Sequence, residues 1–205
     1  MQGFYESNYK YYLDTITNFL LLNTFMLLCS IPIITIPPAI AAIFDVTYSW
    51  GKQEGSGSVL VQYAKAFKKQ IVRSYLFVIG SGFIILSLYM YYVLMINNLL
   101  NGVPLIVLGG LAIAISVLVI LASVYFFSLN SALTTSFLQS IKLSLFFSIL
   151  HVKLTIMLVL LWALMILFLV VYPVTVLLGI VPALAFWQNI WVRSKLTRLP
   201  VTSQI

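Results

Sequence analysis

Amides, hydroxyls and prolines gathered in one apolar stretch are the residues of this chain best placed to do chemistry. Asn23, Thr24, Ser30 and Thr35 lie in a run that also carries Pro32, Pro37 and Pro38. Proline removes a backbone N–H and crowds the preceding turn, so a break of this kind frees carbonyl and amide groups that something must bond. Two roles fit the polar side chains: capping the freed backbone, which is the simpler one, or binding a neutral solute at a broken helix. A second group is basic. Lys65, Lys69 and Arg73 recur every four residues with Lys68 beside them, which places cations along a helix that suits anionic lipid headgroups or a docking partner.

Other reactive types are scarce. Cys29 and His151 are the single cysteine and histidine, so no internal disulfide and no zinc-type ligand spacing is expected. His151 has no carboxylate close in sequence and reads as a polar boundary residue rather than a proton relay. The chain holds no HExxH, GxSxG or nucleotide loop, and no carboxylate pair within an apolar run. An enzyme is therefore the least favoured class, and no cofactor or metal is expected.

The elements that must position these residues are set by composition. With 62% apolar against 7% charged residues and a mean hydropathy of +1.11, a soluble domain is excluded. An all-α polytopic membrane bundle is expected, one domain over 1–205, with about five spans near 16–44, 74–96, 104–127, 154–172 and 174–192. Short amphipathic helices at the interface are expected over 4–15, 59–73 and 128–153. The N-terminal stretch has mixed charge and precedes an apolar run too long for a leader, so the first span is expected to be retained.

That first run, Ile16 to Phe44, would reach about 43 Å as one helix against a hydrocarbon core of about 30 Å. It is predicted to be a helix to about Ser30, an irregular piece IPIITIPP, and a second helical stretch AIAAIF. The irregular piece is expected to face the bundle interior, because lipid cannot satisfy a free backbone.

Charge gives an orientation. The tail to Thr15 carries −1. Residues 45–73 carry +3, from Lys52, Lys65, Lys68, Lys69 and Arg73 against Asp45 and Glu54. Lys142 and Lys153 give +2 over 128–153, and Arg193, Lys195 and Arg198 give +3 near the end. The connections near 97–103 and Pro173 are neutral. The positive-inside rule then yields five spans, an external N-terminus and a cytoplasmic C-terminus. In the alternative, the proline break makes a re-entrant hairpin and both termini lie inside. The net +7 reflects this orientation and not nucleic-acid binding, since aromatic and basic residues are not interleaved on a polar surface.

The run NFLLLNTFMLLCSIPIITIPPAIAAIFDV, followed by a polar loop and a basic helix containing AFKKQ, resembles the YesL-like family of small bacterial membrane proteins, a domain of unknown function. Asn23, Ser30, Pro32, Thr35, Pro38, Ala39 and Ala42 match the family's pattern in register, whereas Pro37 stands where the family usually has glycine. The resemblance is expected to cover essentially the whole chain. It implies a setting near carbohydrate-uptake transporter and glycan-degradation genes, and supplies no catalytic residues.

A non-enzymatic accessory or assembly partner of a membrane complex is the function expected. The partners would be the bilayer, with its anionic headgroups, and components of a carbohydrate ABC importer. A small carrier for a neutral solute is the alternative. The permease itself is not expected, because the chain lacks the glycine-containing EAA-type loop that engages an ATPase. Partner identity and oligomeric state are left open by the sequence.

Overall fold

Helix α1 (Gln2–Ser30) stops where Pro32 interrupts the ladder. A single 3-10 turn, Ile33–Thr35, follows, and α2 (Ile36–Gly51) begins at once. This is a computed structural model describing residues 2–51, 57–97, 103–133, 136–172 and 179–197, and among them there is no strand. Lys52, Glu54, Pro173 and Arg198 lie outside the described residues, as do the side chains of residues 4–12 of the expected N-terminal interfacial helix. The remaining helices are α3 (Val59–Ile96), α4 (Val103–Ala132), α5 (Phe137–Leu150), α6 (Val152–Val171) and α7 (Ile180–Leu196).

The break differs from the expected one in three respects. It is shorter, because Pro37 and Pro38 sit in the first turn of α2, where N–H groups have no intrahelical acceptor and proline is tolerated. It also faces outward: Ile31, Ile33 and Ile34 are 75%, 82% and 71% exposed. Part of the freed backbone is bonded locally. Thr35 N donates to Pro32 O at 2.9 Å, and Thr35 Oγ1 lies within reach of Pro32 O at 2.6 Å and of Cys29 O. Finally, α2 runs on to Gly51, so residues 45–50, expected as part of a connection, are helical.

The two arms fold back on each other. Were residues 16–44 a through-going span, Phe19 and Trp50 would lie about 46 Å apart along a helical path. Their rings instead meet edge to face at 5.4 Å. Leu22 and Met26 of α1 pack with Ala39, Ala42 and Ile43 of α2 in one buried cluster. Thr15, Asn18 and Phe19 share a cavity with Trp50, Gly57 and Ser58, so α1 starts at the same end of the bundle as the α2–α3 connection.

Helix α3 unites the expected basic helix and the second expected span in one rod of 38 residues, about 57 Å long. Its first turns cross α2. The neighbours Gln62 and Tyr63 reach Trp50 and Ala39, two positions about 16 Å apart along the α2 axis. Every buried residue of α3 lies at or before Ser74. Helices α4 and α5 pack together through serines, since Ser140, Ser144 and Ser148 are buried at four-residue steps while Leu138, Phe146, Ile149 and Leu150 are exposed. The apolar face of α5 points away from the protein, as a membrane bundle allows, and small residues make the close helix contact. The start of α5 is fixed by a capping box between Ser136 and Gln139. Gly179 opens α7 at φ 72°, a conformation that costs glycine little and other residues more.

Five described helices are long and apolar enough to cross a membrane: Leu13–Ser30, Ile33–Gly51, Val59–Ile96, Ile106–Ala132 and Val152–Val171. The count agrees with the expectation of about five, but the proline-broken run supplies two of them. The last expected span corresponds to α7, whose 17 residues reach about 26 Å.

Candidate functional site

Polar chemistry inside the bundle is concentrated at three helix junctions. In α7 two adjacent amides are almost fully buried, Gln188 at 1% and Asn189 at 2% exposure. Gln188 Nε2 donates to Val124 O at 2.5 Å and Ser128 Oγ at 3.1 Å, and its Oε1 accepts from Trp162 Nε1 at 2.8 Å. Asn189 Nδ2 donates to Phe44 O and Thr47 Oγ1, both at 2.9 Å. One turn further on, Arg193 Nη1 donates to Gly51 O. Three residues of one helix thus bond α7 to α2, α4 and α6.

A second junction joins α3 to α4. Arg73 Nη1 donates to Asn130 Oδ1 at 2.6 Å, and Asn130 Nδ2 donates to Gln70 Oε1 at 2.6 Å. A third joins α4, α5 and α6 through Thr155, whose Oγ1 meets Tyr125 Oη at 3.2 Å and Ser148 O at 2.9 Å. Inside a bilayer such interhelical bonds contribute about 0.6 to 2 kcal/mol each, and they fix which faces meet.

The expected site residues divide between these junctions and the surface. Pro32 lies at the exposed apex; Pro37 and Pro38 belong to α2. Thr35 caps the break, but Thr24 bonds Leu20 O of its own helix and is exposed. Asn23 is buried in the last third of α1, beside Gly179, and Ser30 is half-buried at the helix end. The break does not collect these four polar side chains into one cavity.

The basic row also divides. Lys69 Nζ pairs with Asp45 at 3.0 Å, a half-exposed pair contributing up to about 1 kcal/mol. Arg73 turns inward to Asn130. Lys65 and Lys68 are exposed. Gln188, Asn189, Gln70 and Asn130 were not singled out from sequence as site residues. The signal for the first pair is the amide couple in AFWQNIW, polar groups in the middle of an apolar run.

Among the described residues no three His, Cys, Asp or Glu side chains come together as a metal-ligand set. The cavity between α2, α4 and α6, about 370 Å³, is lined by Phe44, Phe127, Val159, Trp162 and other largely apolar residues. What the arrangement does chemically is hold helices in register.

Residues 17–92 match a family described as "Protein of unknown function, DUF624". The match spans the second half of α1, the proline apex, α2 and most of α3. No curated protein and no solved structure gives a significant match to the chain.

Proposed function

We propose that this multi-pass membrane protein is a non-enzymatic accessory or assembly partner of a membrane complex. The observation that supports this best is α3, where no residue after Ser74 is buried. Phe83, Ile85 and Tyr89 there are 72%, 68% and 61% exposed. Past Ser74 one stripe of α3, with Phe77 and Tyr91, meets α4, and the rest of this apolar helix offers a long face to lipid or to a partner's helix. Lys65 and Lys68 are exposed at the other end of the same rod, where a soluble or membrane-bound partner would meet them.

The sugar-uptake connection rests on the resemblance to the YesL-like family, which implies components of a carbohydrate ABC importer as the partners. The neutral-solute carrier gains no support. It needs a polar site at a broken helix, and here the break is an exposed apex of isoleucines capped by Thr35. The hairpin favours the re-entrant alternative of the charge analysis: α1 starts, and α7 ends, at the end of the bundle that carries the basic segments. Both termini are then cytoplasmic, in place of an external N-terminus.

Affinity purification from native membranes tests the docking role of the basic turns. Lys65→Gln with Lys68→Gln removes about 2 kcal/mol of attraction at the surface. The recovery of co-purifying proteins is expected to fall severalfold with insertion unchanged. Lys69 is left intact, because its loss also breaks the Asp45 pair. Undiminished recovery would remove these lysines from the proposal.

A further inference from the structure

A cavity of about 550 Å³ opens where the α5–α6 junction meets the last turns of α7. His151, Lys153, Trp191 and Lys195 line it, with Leu154 and Met157 among its apolar residues. Its volume lies within the range of small-molecule sites, about 300 to 1,000 Å³. No acidic side chain lines it.

Its electrostatics are unbalanced in one direction. Lys153 is the second residue of α6, beside the positive end of the helix dipole, where a cation is disfavoured and an anion favoured. Lys195 adds a second ammonium group from α7. His151 stands at the junction itself, with φ −118° and ψ 51°, and its ring lies 4.6 Å from that of Phe147. Its Nδ1 is buried and has no hydrogen-bond partner among the described residues. Buried polar atoms are rarely left so. Trp191 and Met157 give the cavity an apolar wall beside its cationic rim, and tryptophan is favoured at headgroup depth.

We propose that this cavity binds a phosphate-bearing anion, through the two lysine ammonium groups and the His151 ring. An anionic phospholipid headgroup and free phosphate share that chemistry. The apolar wall accommodates the glycerol and the first acyl carbons of the lipid, and basic pockets between helices at a membrane surface take such headgroups.

Binding is measured on the full chain purified in neutral detergent, titrated separately with phosphatidylglycerol, phosphatidylcholine and inorganic phosphate, with the unfolding temperature as a second readout. Phosphatidylglycerol is expected to bind and stabilise, and phosphatidylcholine to do neither. Lys153→Gln with Lys195→Gln is expected to weaken phosphatidylglycerol binding about thirtyfold, and Lys195→Gln alone about fivefold. The single variant serves if the double variant cannot be recovered. Lys142→Gln removes one charge from an exposed position of α5 and is expected to leave binding unchanged, against the fivefold loss of Lys195→Gln. Stabilisation by inorganic phosphate alone assigns the site to a free anion, and stabilisation by phosphatidylglycerol alone to a lipid; either supports the site. Equal weakening by Lys142→Gln and Lys195→Gln, or no response to phosphatidylglycerol and phosphate, overturns it.

Discussion

Gln188→Leu is expected to destabilise the folded bundle by about 2 to 4 kcal/mol. Leucine removes three bonds, to Val124 O, Ser128 Oγ and Trp162 Nε1. Each is a helix-to-helix bond of about 0.6 to 2 kcal/mol in a membrane setting, and the Trp162 donor is left without its acceptor, which adds a desolvation cost of about 1 to 3 kcal/mol. Unfolding in a mixed-micelle denaturant series measures it. A double-mutant cycle with Trp162→Phe isolates one bond, with an expected coupling of about 0.5 to 2 kcal/mol. A Gln188→Leu protein as stable as its parent would mean that α7 is held by apolar packing alone.

Ala42→Leu is expected to be of similar size for a different reason. Ala39 and Ala42 are fully buried, and they lie in the cluster that brings Leu22 and Met26 of α1 and Val59, Tyr63 and Ala66 of α3 against α2. Extra methylene groups in a filled contact cost about 1 to 3 kcal/mol or more, because side chains and backbone must shift. Here they push on three helices at once, so loss of the monodisperse peak in size-exclusion chromatography is the expected reading. Ala183→Leu, at an exposed position of α7, is the control and should be recovered like the parent. If both variants are recovered equally, small residues do not set the α1–α2–α3 contact.

Much of the fold was legible because apolar run length and proline position are local signals. The end of α1 at Ser30, a helix after the prolines and the all-α bundle all follow from them. The direction of the second arm was not legible, since the same residues can bend slightly or reverse, and only the meeting of Phe19 with Trp50 decides. Pro37 and Pro38 misled for a related reason: proline reads as a breaker until the helix start is known, and in a first turn it breaks nothing. The basic row shows the same limit. Spacing placed Lys65, Lys69 and Arg73 along one side, yet Asp45 and Asn130, distant in sequence, draw Lys69 and Arg73 out of the exposed set. The serine face of α5 was visible as a pattern, but its inward direction depends on lipid replacing water as the outer solvent. Gln188 and Asn189 carried the clearest unread signal, an amide pair in an apolar span, which is costly unless bonded to another helix.

The proline apex reverses the chain, so that the start of α1 lies at the same end of the bundle as the end of α7. Single cysteines at Asp14, Asn97 and Thr197, each in a Cys29→Ser background, test it with a membrane-impermeant maleimide applied to intact and then permeabilised cells. Asp14→Cys and Thr197→Cys are predicted to be protected in intact cells and labelled after permeabilisation, with Asn97→Cys labelled in both. Labelling of Asp14→Cys in intact cells while Thr197→Cys stays protected would place the two ends on opposite sides and contradict the hairpin.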